Sequence, residues 1–150
     1  MKILIMGLSG SGKTHLANRL QKELNCAWFN ADAIRKMCND WDFSDRNRQS
    51  LRMRNLADFE TQFGNVICDF ICPTEKTREI FNADFTIWMN TVKSSRYTIT
   101  DDMFEKPNCD IEITERNTDM TDIMATYRQA LRDLPANTAD VFNPVYPEKP

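Results

Sequence analysis

Residues Gly7-Leu8-Ser9-Gly10-Ser11-Gly12-Lys13-Thr14 fit the spacing G-x-x-x-x-G-K-[ST] at every fixed position. Each residue type has a physical task. Glycines let consecutive backbone N–H groups curl around a phosphate, and a helix starting there points its positive end at the same anion. Lys13 is placed to reach the β- and γ-oxygens as a point charge, and the Thr14 hydroxyl to ligate Mg²⁺. The chain has only four glycines, and Gly7, Gly10 and Gly12 all fall within this stretch. Crowding of that kind marks backbone that must approach a ligand closely. The stretch therefore predicts a nucleoside triphosphate, ATP, with Mg²⁺, held by Gly7, Ser9, Gly10, Ser11, Gly12, Lys13 and Thr14.

Such a loop works only between a buried strand and a helix, and the flanking patterns supply both. Ile3 to Met6 is continuously apolar and reads as a buried strand; 13–24 carries Leu16, Ala17, Leu20 and Leu24 at helical spacing. Further strands are read at 26–30, 65–71, 84–90 and 109–114. Helices are read at "ADAIRKMC", with Asp32 in its first turn, at Ser44–Phe63 with Ser44 as N-cap, at 73–81 with Pro73 in the opening turn, and at 120–133. The last has Met120, Ile123, Met124, Tyr127 and Leu131 as its apolar stripe. Alternating strands and helices predict an α/β fold, a central parallel sheet of about five strands with helices on both faces. Residues 91–108 form the main irregular stretch, where a phosphotransferase would carry a lid. The reading gives one domain, 1–134, and a Pro-rich tail, 135–150, wrapping the surface or mobile.

At 150 residues the chain can bury one core, and 41% hydrophobic with 27% charged residues is ordinary for a soluble domain. A net charge of −3 argues against a protein whose main task is gripping nucleic acid. Five scattered cysteines without a CxxC pair suit reduced core residues. No apolar run approaches a membrane span and none reads as a signal peptide, so a cytoplasmic or equivalent reducing compartment is expected, with no membrane partner.

Several stretches, taken in order, resemble one family, the adenylylsulfate (APS) kinases. "GLSGSGKTHLA" is similar to that family's GLSGSGK[ST] opening, and "NADAIRK" to DGDNxR, with Asp32 and Arg35 matching. "DFSDRNR" is similar to GFSxxDR through Phe43, Ser44 and Arg48, "ICPTEKTR" to ISPYRxxR through Ile71, Pro73 and Arg78, and "FEKP" to YExP. The resemblance implies a three-layer P-loop kinase fold and phosphoryl transfer from MgATP to the ribose 3′-hydroxyl of adenosine 5′-phosphosulfate. It also implies a small-molecule, nucleotide-like acceptor and a homodimer.

On that resemblance Asp32 becomes the base or metal organiser, with Lys13 as its catalytic companion on the phosphates. A sugar hydroxyl is a poor nucleophile and needs a carboxylate to take or orient its proton; the alternative is a carboxylate stabilising a helix start. Asp32, Arg35, Phe43, Arg48 and Pro73 would bind the acceptor. Phe43 would stack on its adenine or else serve as a core aromatic. In the cluster "RNRQSLRMR" (46–54), Arg48 and Arg52 share a helix face, and part of the cluster reads as a solvated basic surface.

The chain departs from the family at Asn30, Ala31, Ala33, Leu51, Cys72, Thr74 and Glu75. The lid's RDPKGLY and FTG segments are absent, leaving "TVKSSRYTITDDM" with Arg96 as its one arginine, a candidate cation on the ATP phosphates. Asp69 ends a strand expected beside the first. It reads either as a water-mediated Mg²⁺ holder or as a strand-end carboxylate bonded to a neighbouring loop. Three functions follow: an APS-kinase-like enzyme, a kinase of the same architecture acting on another hydroxyl (a polynucleotide 5′-end or a small metabolite), or a protein that holds ATP without turning it over.

Overall fold

Each of the five strands among the described residues is short, and their apolar side chains point to both sides, as strands covered on both faces require. The computed structural model describes residues 1–133. Its strands are β1 (Lys2–Met6), β2 (Ala27–Asn30), β3 (Val66–Asp69), β4 (Phe85–Met89) and β5 (Ile111–Ile113). They form one sheet in the order β2-β3-β1-β4-β5, parallel throughout. The expected tail, 135–150, lies outside the described residues.

The described residues form six α-helices: α1 (Lys13–Leu24), α2 (Ala31–Cys38), α3 (Arg46–Glu60), α4 (Glu75–Phe81), α5 (Thr98–Met103) and α6 (Met120–Asp133). Ile3, Ile5, Ile67, Phe85 and Ile87 on one face meet Leu16, Ala17 and Leu20 of α1 and Ile123 and Tyr127 of α6. Leu4, Met6, Val66 and Cys68 on the other meet Ala31 and Ile34 of α2, Met53 and Ala57 of α3 and Phe81 of α4. Burying one side chain such as Phe85 contributes roughly 2–3 kcal/mol, so these two layers dominate the stabilisation. All five residues expected in the α6 stripe pack into the first cluster.

Two helix starts differ from expectation. The α3 cap is Asp45, whose carboxylate accepts from the Arg48 N–H; Ser44 instead donates its N–H and hydroxyl to Asp42 (3.0 and 2.5 Å). Helix α4 begins after Thr74, which forms a reciprocal capping box with Thr77, leaving Pro73 in the preceding loop. The stretch 91–108 contains the short helix α5. With glycine so scarce, α1, α2 and α4 end instead on Asn25, Asn39 and Asn82, each left-handed (φ 49°, 49° and 57°).

This topology opens the site. The chain leaves β1 for α1 on one face and leaves its neighbour β3 for α4 on the other, so the two loops diverge at the carboxyl ends of adjacent strands. In open α/β sheets that divergence is where ligands bind.

Candidate active site

One cleft of about 1120 Å³ occupies this crevice. It is lined by the loop after β1, by the start of α2, by 41–50 with the start of α3, by 69–73 and by 96–100.

The loop after β1 has the backbone its glycines suggested. Gly7, Gly10 and Gly12 sit at φ 149°, 80° and 101°. A Cβ at Gly7 would lie 2.6 Å from the Met89 carbonyl oxygen and 2.9 Å from Ser11 Oγ, so the loop packs too closely on β4 for any other residue. Thr91 Oγ1 donates to the Ser11 carbonyl (2.6 Å), and the Arg116 guanidinium donates to the Gly10 carbonyl. Lys13 Nζ donates to the Leu8 carbonyl (2.8 Å), folded across the loop it opens. Burial lowers the Lys13 ammonium to about 8, against the opposing pull of Asp69 and Asp32.

Beside it lies a carboxylate held from three directions. Asp69 is 1% exposed. Its Oδ2 accepts from Trp28 Nε1 (2.6 Å), and its Oδ1 from Asn30 Nδ2 (2.9 Å) and Thr14 Oγ1 (3.4 Å). Asn30 also caps α2 by accepting from the Ala33 N–H (3.0 Å). Burial pushes the Asp69 carboxyl up, and the Trp28 and Asn30 hydrogen bonds, the Lys13 charge and the Thr14 hydroxyl pull it back. Among the described residues no cluster of three or more His, Cys, Asp or Glu could hold a metal alone. The hydroxyl and carboxylate beside a polyanion are instead the hard oxygen ligands Mg²⁺ uses with phosphates, so the residues fit that ion.

The other end of the cleft is made of side chains. Asp32 stands exposed in the first turn of α2, and its charge acts on Lys13 on one side and on Arg35 and Arg46 on the other. Arg35 is 2% exposed and stacks on Phe43, guanidinium to ring centroid 4.6 Å. Phe43 is half-exposed beside Trp41. Pro73 and Arg96 also line the cleft, the latter lying over the ring of Tyr97 (5.0 Å). Arg48 does not line it. Its guanidinium pairs with Asp40 (2.9 Å), Asp42 and Asp45 (both 3.6 Å), while Arg52 takes the second oxygen of Asp40 at 2.5 Å. The α3 arginine that reaches the cleft is Arg46.

"ICPTEKTR" and "FEKP" meet in space. Arg78 donates to the carbonyls of Cys72 (3.1 Å), Pro73 (2.9 Å) and Glu105, and Glu105 N–H to the Pro73 carbonyl (2.8 Å). They fix the 70–73 wall of the cleft. Sequence reading missed Trp28, Arg46, Thr91 and Arg116. Arg46 lies within "DFSDRNR" and the 46–54 arginine cluster, where the family motif points to Arg48 instead; the other three lie outside the quoted family motifs, although a tryptophan opposite an unusual strand-end Asp was a usable signal for Trp28.

A five-stranded parallel sheet flanked by helices, with a phosphate loop leaving its central strand, defines the P-loop kinase α/β fold. Residues 3–83 match the family described as AAA domain, which is more than half of the chain, and the chain belongs to that family. No curated protein sequence matches it. Among solved structures it is similar to the Mycobacterium tuberculosis APS kinase CysC in complex with AMPPNP and APS (TM-score 0.65, 17% identity, 88% of this chain and 97% of that one). A gluconokinase from Sinorhizobium meliloti 1021 gives TM-score 0.57 at 14% identity, over 92% and 95% of the chains. The shikimate kinase of Aquifex aeolicus gives 0.55 at 12%, over 88% and 96%. These likenesses show the shared fold. No helix of the described residues is long and apolar enough to cross a membrane.

Proposed function

We propose that this protein transfers the γ-phosphoryl group of MgATP to a hydroxyl of a small acceptor, with adenosine 5′-phosphosulfate as the acceptor of first choice. The observation that carries this is the position of Asp32. Exposed in the first turn of α2, this carboxylate lines the same cleft as the phosphate-loop lysine and as Arg35 and Arg46, as a group directing a hydroxyl toward a phosphate must.

The geometry supports the following roles. Backbone N–H groups of the glycine loop and the α1 N-terminus hold the polyphosphate, which draws Lys13 away from the Leu8 carbonyl. Thr14 and Asp69 would hold Mg²⁺, which when bound would offset charge on the phosphates. The carboxylate that APS kinases carry at the position of Asn30 is found one strand over, at Asp69, in hydrogen bond with that asparagine. Asp32 orients and deprotonates the acceptor hydroxyl, and Arg35, Phe43 and Pro73 hold the acceptor. Arg96 and Tyr97, from the short segment after β4, close over the phosphates in place of a longer lid. The motif resemblance favours adenylylsulfate, and the similarity to APS kinases, a gluconokinase and a shikimate kinase keeps other small alcohols in view. A homodimer is part of the same proposal.

The test is acceptor-dependent ADP release with MgATP and a panel of adenylylsulfate, gluconate, shikimate and a 5′-hydroxyl oligonucleotide. Release with adenylylsulfate, yielding 3′-phosphoadenylylsulfate, is expected. Release with another acceptor alone removes that substrate, and release with none removes the kinase.

A further inference from the structure

Three carbonyls of the phosphate loop are taken by side chains. That of Leu8 accepts from Lys13 Nζ, within the loop itself (2.8 Å). Those of Gly10 and Ser11 accept from residues far along the chain, Arg116 and Thr91. The two donors follow different strands, β5 and β4, and each is anchored where it stands. Before Thr91, the Asn90 N–H donates to the Ile113 carbonyl (2.8 Å) and Asn90 Nδ2 to Glu112 (2.9 Å). Beyond Arg116, Thr118 Oγ1 donates to the Glu115 carbonyl (2.7 Å) and closes the turn, while Arg19 of α1 donates to the Thr118 carbonyl (3.4 Å).

A trans peptide points its carbonyl and its N–H in opposite directions, so a partner on the carbonyl also aims the amide. Thr91 does not line the cleft, whereas Gly12 does. Drawing the Ser11 carbonyl to Thr91 (2.6 Å) therefore turns the Gly12 N–H toward the cleft. The Gly10–Ser11 peptide is held at both ends: Arg116 takes its carbonyl, and its N–H donates to the Leu8 carbonyl (3.2 Å). That fixes Gly10 in its left-handed conformation, φ 80°, where an added Cβ would meet nothing within 4 Å. The buried Ser11 hydroxyl has no partner among the described residues. The orientation of these two peptides thus depends on side chains from outside the loop.

We propose that Thr91 and Arg116 are positioning residues of the phosphate loop, holding the Ser11 and Gly10 carbonyls so that its amides are set for a polyphosphate before one arrives. This rests on the loop binding a polyphosphate, and it extends the site to two residues outside the loop that act through its backbone. Donors fixed in advance cost no reorganisation when the anion binds, so loosening either carbonyl should weaken any anion held by the amides, with or without a nucleoside attached.

The experiment measures binding of magnesium tripolyphosphate and of MgADP to the full chain by calorimetry, well below the melting temperature. Tripolyphosphate carries no nucleoside and reports on the loop alone. The expected result is that Thr91→Val weakens both ligands by the same factor, about fivefold, and that Thr91→Ser binds nearly as the wild type does. Arg116→Met weakens both by about tenfold, and Arg116→Lys by less. Thr91→Val removes no charge, so its loss is not that of an ion pair with the phosphates. In the ligand-free protein, the Ser11 and Gly12 amides exchange with deuterium faster in Thr91→Val and Arg116→Met than in the wild type. If Thr91→Val does not fold, Thr91→Ala takes its place. Unchanged tripolyphosphate affinity in either variant overturns the role of that residue, even where the melting temperature falls. A loss confined to MgADP overturns it too, because the residue then touches the nucleoside. Thr91→Ser binding as weakly as Thr91→Val overturns the part given to the hydroxyl. A wild type that binds neither ligand removes the nucleotide reading, and the amide exchange rates then decide the positioning role by themselves.

Discussion

The two ends of the cleft are built differently. At the proposed phosphate end the lining is backbone: three glycines in one eight-residue stretch set the curvature, buried Met89 and half-buried Thr91 pack against the loop, and half-buried Trp28 holds Asp69 beside it. At the proposed acceptor end the lining is side chains: Asp32, Arg35, Phe43 and Arg46 come from two helices and the loop between them, beside Asp40 with Arg48 and Arg52. A backbone site tolerates little change in its contiguous residues but accepts any polyphosphate. A side-chain site can be retuned one residue at a time, as expected where related folds take different acceptors.

That contrast can be broken most forcefully at Lys13. Lys13→Ala removes the ammonium of the phosphate loop, and turnover should fall about 10²–10³-fold with weaker MgATP binding; steady-state kinetics and nucleotide calorimetry check it. Trp28→Phe probes the supports of the same end. It deletes the indole donor to a buried carboxylate and should cost about 1–3 kcal/mol at neutral pH by chemical denaturation. Because the folded Asp69 carboxyl is raised, its ionised form is a liability that grows as pH rises through that range. The Trp28→Phe loss should therefore shrink in mild acid, and MgATP should need more Mg²⁺ to bind. An equal loss at both pH values would show that Trp28 acts through packing alone.

The smallest effect is a pH dependence. Lys13 is lowered to about 8 in the folded protein from 10.5, so the unfolded chain binds more protons across that window. Stability of the ligand-free protein should rise with pH there. A bound polyphosphate favours the charged ammonium, so MgADP binding should take up a proton and weaken by up to about tenfold per pH unit above 8. Calorimetry in two buffers of different ionisation enthalpy measures the uptake. A flat affinity from pH 7 to 9.5 would place Lys13 outside the phosphate contacts.

The same contrast explains how much could be read from the residues alone. The strands showed as continuous apolar runs because a parallel sheet is buried on both faces, and the phosphate loop showed because its ligands are consecutive. Helix ends were harder. Ser44 looked like a cap, but Asp45 lies one residue closer to the first turn and takes the Arg48 N–H. Asn25, Asn39 and Asn82 end helices where glycine would be the usual signal. Arg48 stood at the position the motif favoured. Only the fold shows that Asp40, eight residues earlier, turns back to claim it and leaves Arg46 facing the cleft. Short-range patterns report backbone geometry, whereas the partner of a long cation is settled by the tertiary structure.

The central claim is that one carboxylate, Asp32, joins a nucleotide end to an acceptor end. The direct measurement is Asp32→Asn, with kcat on adenylylsulfate and MgADP affinity taken on the same preparation. The account predicts a fall in kcat of about 10²–10⁴-fold with MgADP affinity changed less than twofold; turnover that survives the substitution would contradict it.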